Sequence, residues 1–167
     1  MEIRRVITAE DEAGLSHFVA VEPVAPVSGH VDWFPVWGWD SLPTLPVTEV
    51  ARESTVSVFP SPSGTRIAIS VMHPVTDGRD ATEEFAAMLA AVPAGGRSGW
   101  ASGFHDTATI DVVFVISGTV TLELSGGDST ELSAGDVLVQ NGTVHKWRNL
   151  GTAPCVLGLV LVAAENS

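Results

Sequence analysis

At 167 residues and 45% hydrophobic content, the chain is the size of one domain with a sizeable core. Twenty Asp and Glu against eight Lys and Arg leave a formal charge of -12, which argues against nucleic acid and anionic membrane surfaces as partners. Cys155 is the only cysteine, so there is no internal disulfide and no Cys-x-x-Cys metal or redox pattern.

The start, Met1-Glu2-Ile3-Arg4-Arg5, runs into mixed polar sequence without an apolar leader, and no stretch approaches the roughly 20 apolar residues of a membrane span. A cytoplasmic, reducing location is expected. Tyrosine is absent and Lys146 is the only lysine, which removes phenol acids and makes Schiff-base chemistry a poor expectation.

Along the chain, Ile3 to Thr8 and Ser16 to Glu22 read as short strands around the acidic turn Glu10 to Gly14, and are expected to form a sheet edge. Pro23 to Pro46 mixes Trp33, Trp37 and Trp39 with four prolines after Pro23, matches neither the helical nor the strand period, and reads as an ordered wrapping loop. Its tryptophans are expected to pack on a sheet or in a dimer contact rather than line a ligand mouth. Glu53 to Phe59 and Thr65 to His73 are strand candidates around the turn Pro60-Ser61-Pro62-Ser63-Gly64.

One helix is predicted near 80–92. Asp80 can cap it with Glu83 three residues on, and Phe85, Met88, Leu89 and Val92 form an apolar stripe of the kind that packs into a core. After a glycine-rich link the pattern turns to short strands: Thr109 to Ile116, Thr119 to Leu124, Ser129 to Leu132, Val137 to Gln140, Val144 to Asn149 and Cys155 to Val162. The turns between them hold Gly or Asn suited to positive φ. The expectation is an all-β jelly roll barrel in one domain over 1–167, with N-terminal strands and wrapping loop in 1–75, a helix at 80–92 and the motif-bearing strands in 103–162.

Chemistry concentrates in Gly103 to Asn149. His105, Asp111 and His145 are a two-histidine, one-carboxylate set of the kind that binds a transition metal and leaves coordination positions open. Strand alternation puts Asp111, Val113 and Val115 on one face, and His145 shares a face with Trp147. Trp147 would then wall a pocket, and Gln140 would be a fourth ligand or a group that orients the site. His17, His30 and His73 lack partners at ligand spacing, and Cys155 begins an apolar strand as a small hydrophobe.

Gly103, His105, Asp111 and Gly118, followed by Gly135-Asp136, Gly142, His145 and Asn149, resemble the two motifs of the cupin superfamily, a double-stranded β-helix jelly roll. The local forms His-x-Thr-x-Thr-x-Asp and Gln-x-Gly-Thr-x-His-x-Trp are similar to a subgroup of small single-domain cupins. The resemblance carries the motif histidines onto His105 and His145 and the carboxylate onto Asp111. Thr107 stands where the family usually has a further histidine, Asp111 replaces a glutamate, and Asn141 replaces a proline.

These readings imply a divalent transition metal (Zn, Fe, Mn or Ni) held by His105, Asp111, Gln140 and His145, with Thr107, Val113, Val115 and Trp147 lining a substrate pocket. The expected function is a metal-dependent enzyme acting on a small carbonyl or enol compound by dehydration, cyclisation, isomerisation or decarboxylation, as in the polyketide and aromatic metabolism of similar cupins. An Fe(II)-dependent dioxygenase and a metal-free small-molecule-binding cupin are the alternatives. The resemblance also implies a homodimer paired through edge strands and N-terminal segments.

Overall fold

The computed structural model describes residues 1–27, 31–47, 58–75 and 103–165. Ten strands run through them: β1 (Ile3–Glu10), β2 (Ser16–Val24), β3 (Val31–Trp39), β4 (Thr65–Met72), β5 (Thr109–Ser117), β6 (Thr119–Leu124), β7 (Ser129–Ser133), β8 (Val137–Gln140), β9 (His145–Arg148) and β10 (Cys155–Ala163). The described residues contain no α-helix, and none is long and apolar enough to cross a membrane. The predicted helix at 80–92 and most of the predicted strand at Glu53 to Phe59 lie outside the described residues.

A five-stranded antiparallel sheet has the order β3-β4-β10-β5-β8, and a three-stranded sheet has the order β7-β6-β9. They are joined by one apolar core. Val31, Met72, Val113, Val115, Cys155 and Leu157 from the larger sheet pack with Val120 from the smaller, and Leu132, Leu138 and Trp147 close around them. Cys155 is fully buried in this layer and its thiol is pushed up to about 11 by that burial, as befits a core hydrophobe. The described residues thus form an all-β fold of two sheets around one core, beside the two-stranded N-terminal sheet.

Two N-terminal expectations change. β1 and β2 do not extend a sheet edge; they pair with each other as a separate two-stranded ribbon. Ile3 and Val24 of this ribbon pack on Phe34, Val71, Ile69 and Val156, on the outer side of the larger sheet. The second correction is β3, which runs through the stretch read as a wrapping loop. Pro35 hides it from a periodicity argument, yet proline is tolerated because β3 is the last strand of its sheet and needs partners on one side only. The register slips between Pro35 and Trp37, which breaks the alternation that would have marked a strand.

The tryptophans divide accordingly. Trp33 is buried with Ala68 and Leu161, whereas Trp37 and Trp39 meet edge to face at 6.3 Å and line a cleft of about 260 Å³ with Arg5 and Val47. Arg5 sits 5.6 Å over the Trp37 ring and is ion-paired to Glu22.

The two sides of the larger sheet differ sharply. Its inner positions feed the core. Its outer positions on β10 are Val156, Gly158, Val160 and Val162, and those on β5 are Ile110, Val112, Phe114 and Ile116, with Val137 and Val139 facing the same way on β8. A strand exposed on one side ordinarily alternates apolar and polar residues, and continuous apolar sequence is the mark of a strand covered on both.

Candidate metal centre

His105 and His145 are joined through their backbones before their side chains do anything. The His105 N–H donates to the His145 carbonyl at 2.9 Å and the His145 N–H to the His105 carbonyl at 2.8 Å. Such a reciprocal pair puts two side chains on the same face and close together. The imidazole centroids are 4.4 Å apart, tilted by 55°.

Each ring is also anchored at one nitrogen. His145 Nδ1 lies 2.8 Å from the Thr143 carbonyl and His105 Nδ1 lies 3.3 Å from the Gly103 carbonyl. With the proton on Nδ1 donated to a carbonyl, Nε2 keeps its lone pair, the tautomer a metal-binding histidine requires. Burial favours the neutral rings: it lowers His105 to about 4, with the neighbouring His145 adding to the effect, and it lowers His145 as well.

Gly142 shapes the turn that delivers His145. It has φ +60, and a Cβ there would come within 3.1 Å of the Thr107 carbonyl oxygen and 3.3 Å of that of Thr109. Only glycine meets both demands without strain. Gln140 Oε1 accepts a 2.7 Å hydrogen bond from Thr143 Oγ1, so a short chain of contacts runs from Gln140 through Thr143 to His145. Trp147, two residues on, meets His145 edge to face at 6.1 Å.

Asp111 is directly opposite Gln140 in the β5–β8 ladder, and both are buried on the inner face. Asp111 Oδ1 and Gln140 Nε2 have no hydrogen-bond partner, which at about 1–3 kcal/mol for each unsatisfied group is a defect unless something completes the site. Burial raises Asp111 to about 6 against an opposing pull from a Thr109 hydrogen bond. Thr109 Oγ1 also lies 2.7 Å from Thr107 Oγ1, so its single hydroxyl proton can serve either neighbour. Thr107 is buried, and Val113 and Val115 line the core just beyond.

The donor chemistry therefore fits a divalent transition metal: two neutral imidazoles, each held at Nδ1, and a buried carboxylate oxygen with no hydrogen-bond partner. The spacing is less complete. Among the described residues no three or more His, Cys, Asp or Glu side chains are grouped closely enough to hold one ion. The structure thus gathers His105 with His145, and separately Asp111 with Gln140. Aspartate is one methylene shorter than the glutamate usual in similar motifs, which limits its reach toward the imidazoles.

Asp106 is an addition that strand alternation did not single out. It is buried between His105 and Thr107, in an irregular stretch where alternation does not apply, and its charge favours the protonated form of both imidazoles. His73, which lacks a partner at ligand spacing in the sequence, forms a 3.2 Å pair with Asp32.

Residues 88–162 match the cupin domain family. Over 46 residues the chain is 48% identical to the oryzines biosynthesis cluster protein J of Aspergillus oryzae, covering 28% of this chain and 26% of that one. It is 39% identical over 56 residues to a cupin-domain-containing oxidoreductase, srdD, of Neurospora crassa, covering 32% and 29%. The matched segments thus span under a third of these relatives' length. The cupin domain of an XRE-family transcriptional regulator from Enterobacter cloacae superposes with a TM-score of 0.40 at 15% identity, covering 60% of this chain and 83% of that one.

Proposed function

We propose that the chain, whose residues 88–162 match the cupin domain family, is a metal-dependent enzyme acting on a small carbonyl or enol compound by proton-shift chemistry such as dehydration, cyclisation, isomerisation or decarboxylation. The observation that carries this reading is the backbone-locked pair of neutral imidazoles, His105 and His145. A zinc, iron, manganese or nickel ion held by these two, with Asp111 and Gln140 as further ligands, would supply Lewis-acid polarisation of a substrate oxygen.

The chain's own groups supply the rest. Burial holds Asp111 at about 6 without the metal, so at neutral pH it is mostly ionised and ready to serve as a ligand. Val113, Val115 and Trp147 make the adjoining wall apolar and exclude water from it. Gln140 and Thr143 hold the turn that aims His145. A relative named for a biosynthesis cluster supports small-molecule metabolism as the setting. Another, named an oxidoreductase, supports Fe(II)-dependent oxygen chemistry as the rival within the same site.

A second reading, a metal-free small-molecule-binding cupin, is favoured by one specific feature. Thr107, whose hydroxyl accepts from that of Thr109, stands at the position where a third imidazole would strengthen the centre. Elemental analysis separates the two readings. The enzyme reading expects about one transition metal per chain, reduced below about a tenth in His105→Ala or His145→Ala. Metal-free protein that binds small carbonyl compounds without turning them over would instead establish the second reading. Oxygen consumption by the iron-loaded protein would identify the redox rival.

A further inference from the structure

Trp33 of β3 is buried with Ala68 and Leu161. Trp37 and Trp39 instead line a cleft of about 260 Å³, whose other walls are Arg5 to Thr8 of β1, Val36 and Val47. This cleft shares no residue with the centre around His105 and His145. In the larger sheet β4 and β10 stand between β3 and β5, which separates the two places by roughly 14 Å of strand spacing. Trp39 is 36% exposed at the end of an edge strand. An indole so placed gains from any apolar body that covers it.

We propose that the cleft is a second binding site, for a neutral, flat compound of one or two fused rings that carries a carbonyl oxygen. Shape comes from the indoles. Their rings stand at 72° with centroids 6.3 Å apart, so a flat ring laid on one presents its edge to the other, and both contacts are favourable aromatic geometries. The volume lies below the roughly 300 Å³ at which sites for drug-sized ligands begin, which limits the occupant to a small ring system.

Arg5 supplies the polar contact. A guanidinium has five N–H donors. Nε donates to Glu22 Oε1 at 2.8 Å, Nη2 donates to the same oxygen, and Nη1 donates to the Val36 carbonyl at 3.2 Å. One N–H on Nη1 and one on Nη2 are left for an acceptor on the ligand. The group is also positioned in advance, because the Glu22 ion pair and the Trp37 ring, 5.6 Å away, hold it from two sides. Charge selects against an anion: Glu22 offsets Arg5, and the chain carries -12. A sugar is a poor match for the remaining walls, since Val36 and Val47 would leave its hydroxyls unpaired.

Ligand-observed NMR titration of the full chain with coumarin, a neutral bicyclic lactone, tests the assignment, and a Kd of about 100 µM is expected. Coumarin-3-carboxylate should bind at least about tenfold more weakly. Trp37→Leu and Trp39→Ala should each weaken coumarin about tenfold. Arg5→Met should weaken coumarin about fivefold and leave naphthalene, which has no acceptor oxygen, unchanged. Phe18→Ser, at a position 72% exposed on β2 and outside the cleft, should bind coumarin as the wild type does. Melting temperatures near wild type establish that each variant is folded, and Trp39→Ala, at the strand end, stands in if Trp37→Leu unfolds the edge. No coumarin binding up to about 1 mM overturns the proposal. So does an affinity indifferent to both tryptophan changes, which would place coumarin elsewhere, or a carboxylate that binds as tightly as coumarin. Equal losses of coumarin and naphthalene in Arg5→Met overturn it as well.

Discussion

On its inner side β5 carries Thr109, Asp111, Val113 and Val115, and on its outer side Ile110, Val112, Phe114 and Ile116. The inner side, which should be apolar, holds a buried carboxylate with an unpartnered oxygen, and opposite it Gln140 with an unpartnered Nε2. The outer side, which should be polar, is apolar throughout and half open. One strand thus departs from the alternation rule in opposite senses on its two faces, and each departure costs stability unless completed from outside the chain. A polar defect in a core asks for a small polar or ionic partner. An apolar defect on a surface asks for a large apolar one.

The comparison breaks most visibly if the two faces are energetically linked. Through the sheet they share backbone but no side-chain partners, so their substitutions should add. His145→Ala should lose its metal content, whereas Phe114→Glu on the outer side should leave metal content unchanged, as elemental analysis of the two variants checks. Loss of metal in Phe114→Glu would join the two faces into one functional unit.

A smaller effect sharpens the inner face. Asp111 is raised from 3.8 to about 6, so the folded protein holds its proton more tightly than the unfolded chain does. Its contribution to stability is therefore greatest below pH 4 and is lost as pH rises through 6, a loss of at most about 3 kcal/mol. Asp111→Asn should accordingly stabilise the metal-free protein at pH 7 by about 1–2 kcal/mol, the remainder being lost to the new amide's want of a partner. At pH 4 this gain should vanish. Urea midpoints at the two pH values check it, and an equal effect at both would show that burial does not raise Asp111.

His105 works in the opposite sense. Its folded value of about 4 lies below the ordinary 6.5, so the stability it contributes is present above pH 6.5 and is lost as pH falls toward 4. In the wild type these two trends oppose each other between pH 4 and 6. In Asp111→Asn the histidine trend stands alone, and the acid side of the stability curve should steepen. The smallest expected effect is that of Thr107→Val, which removes one hydroxyl from the Thr107–Thr109 pair. It should cost about 1 kcal/mol in thermal melts and leave metal content unchanged, unless Thr107 is itself a ligand.

Much of this architecture was legible in the residues. The strands from Thr109 onward, with turns at Gly118, Gly127, Gly135 and Gly142, follow from alternation and from glycines that all take positive φ. Asp111, Val113 and Val115 share the inner face as alternation requires, and His145 lies against Trp147. β3 was hidden because its proline and its register slip erase the signal that alternation reads. The burial of Asp106 was hidden because it lies between elements, where no period applies.

By itself the sequence determined which side chains of each later strand share a face, because that depends only on the two-residue repeat of an extended backbone. It also carried the histidine, carboxylate and glycine spacing that resembles the cupin motifs. The tertiary structure alone decided what each face meets: that His105 lies against His145, that Asp111 stands opposite Gln140, and that the N-terminal ribbon covers β3 and β4 but not β5 and β8. Those relations join residues far apart in the chain. They are set by strand order and register, which local periodicity does not encode.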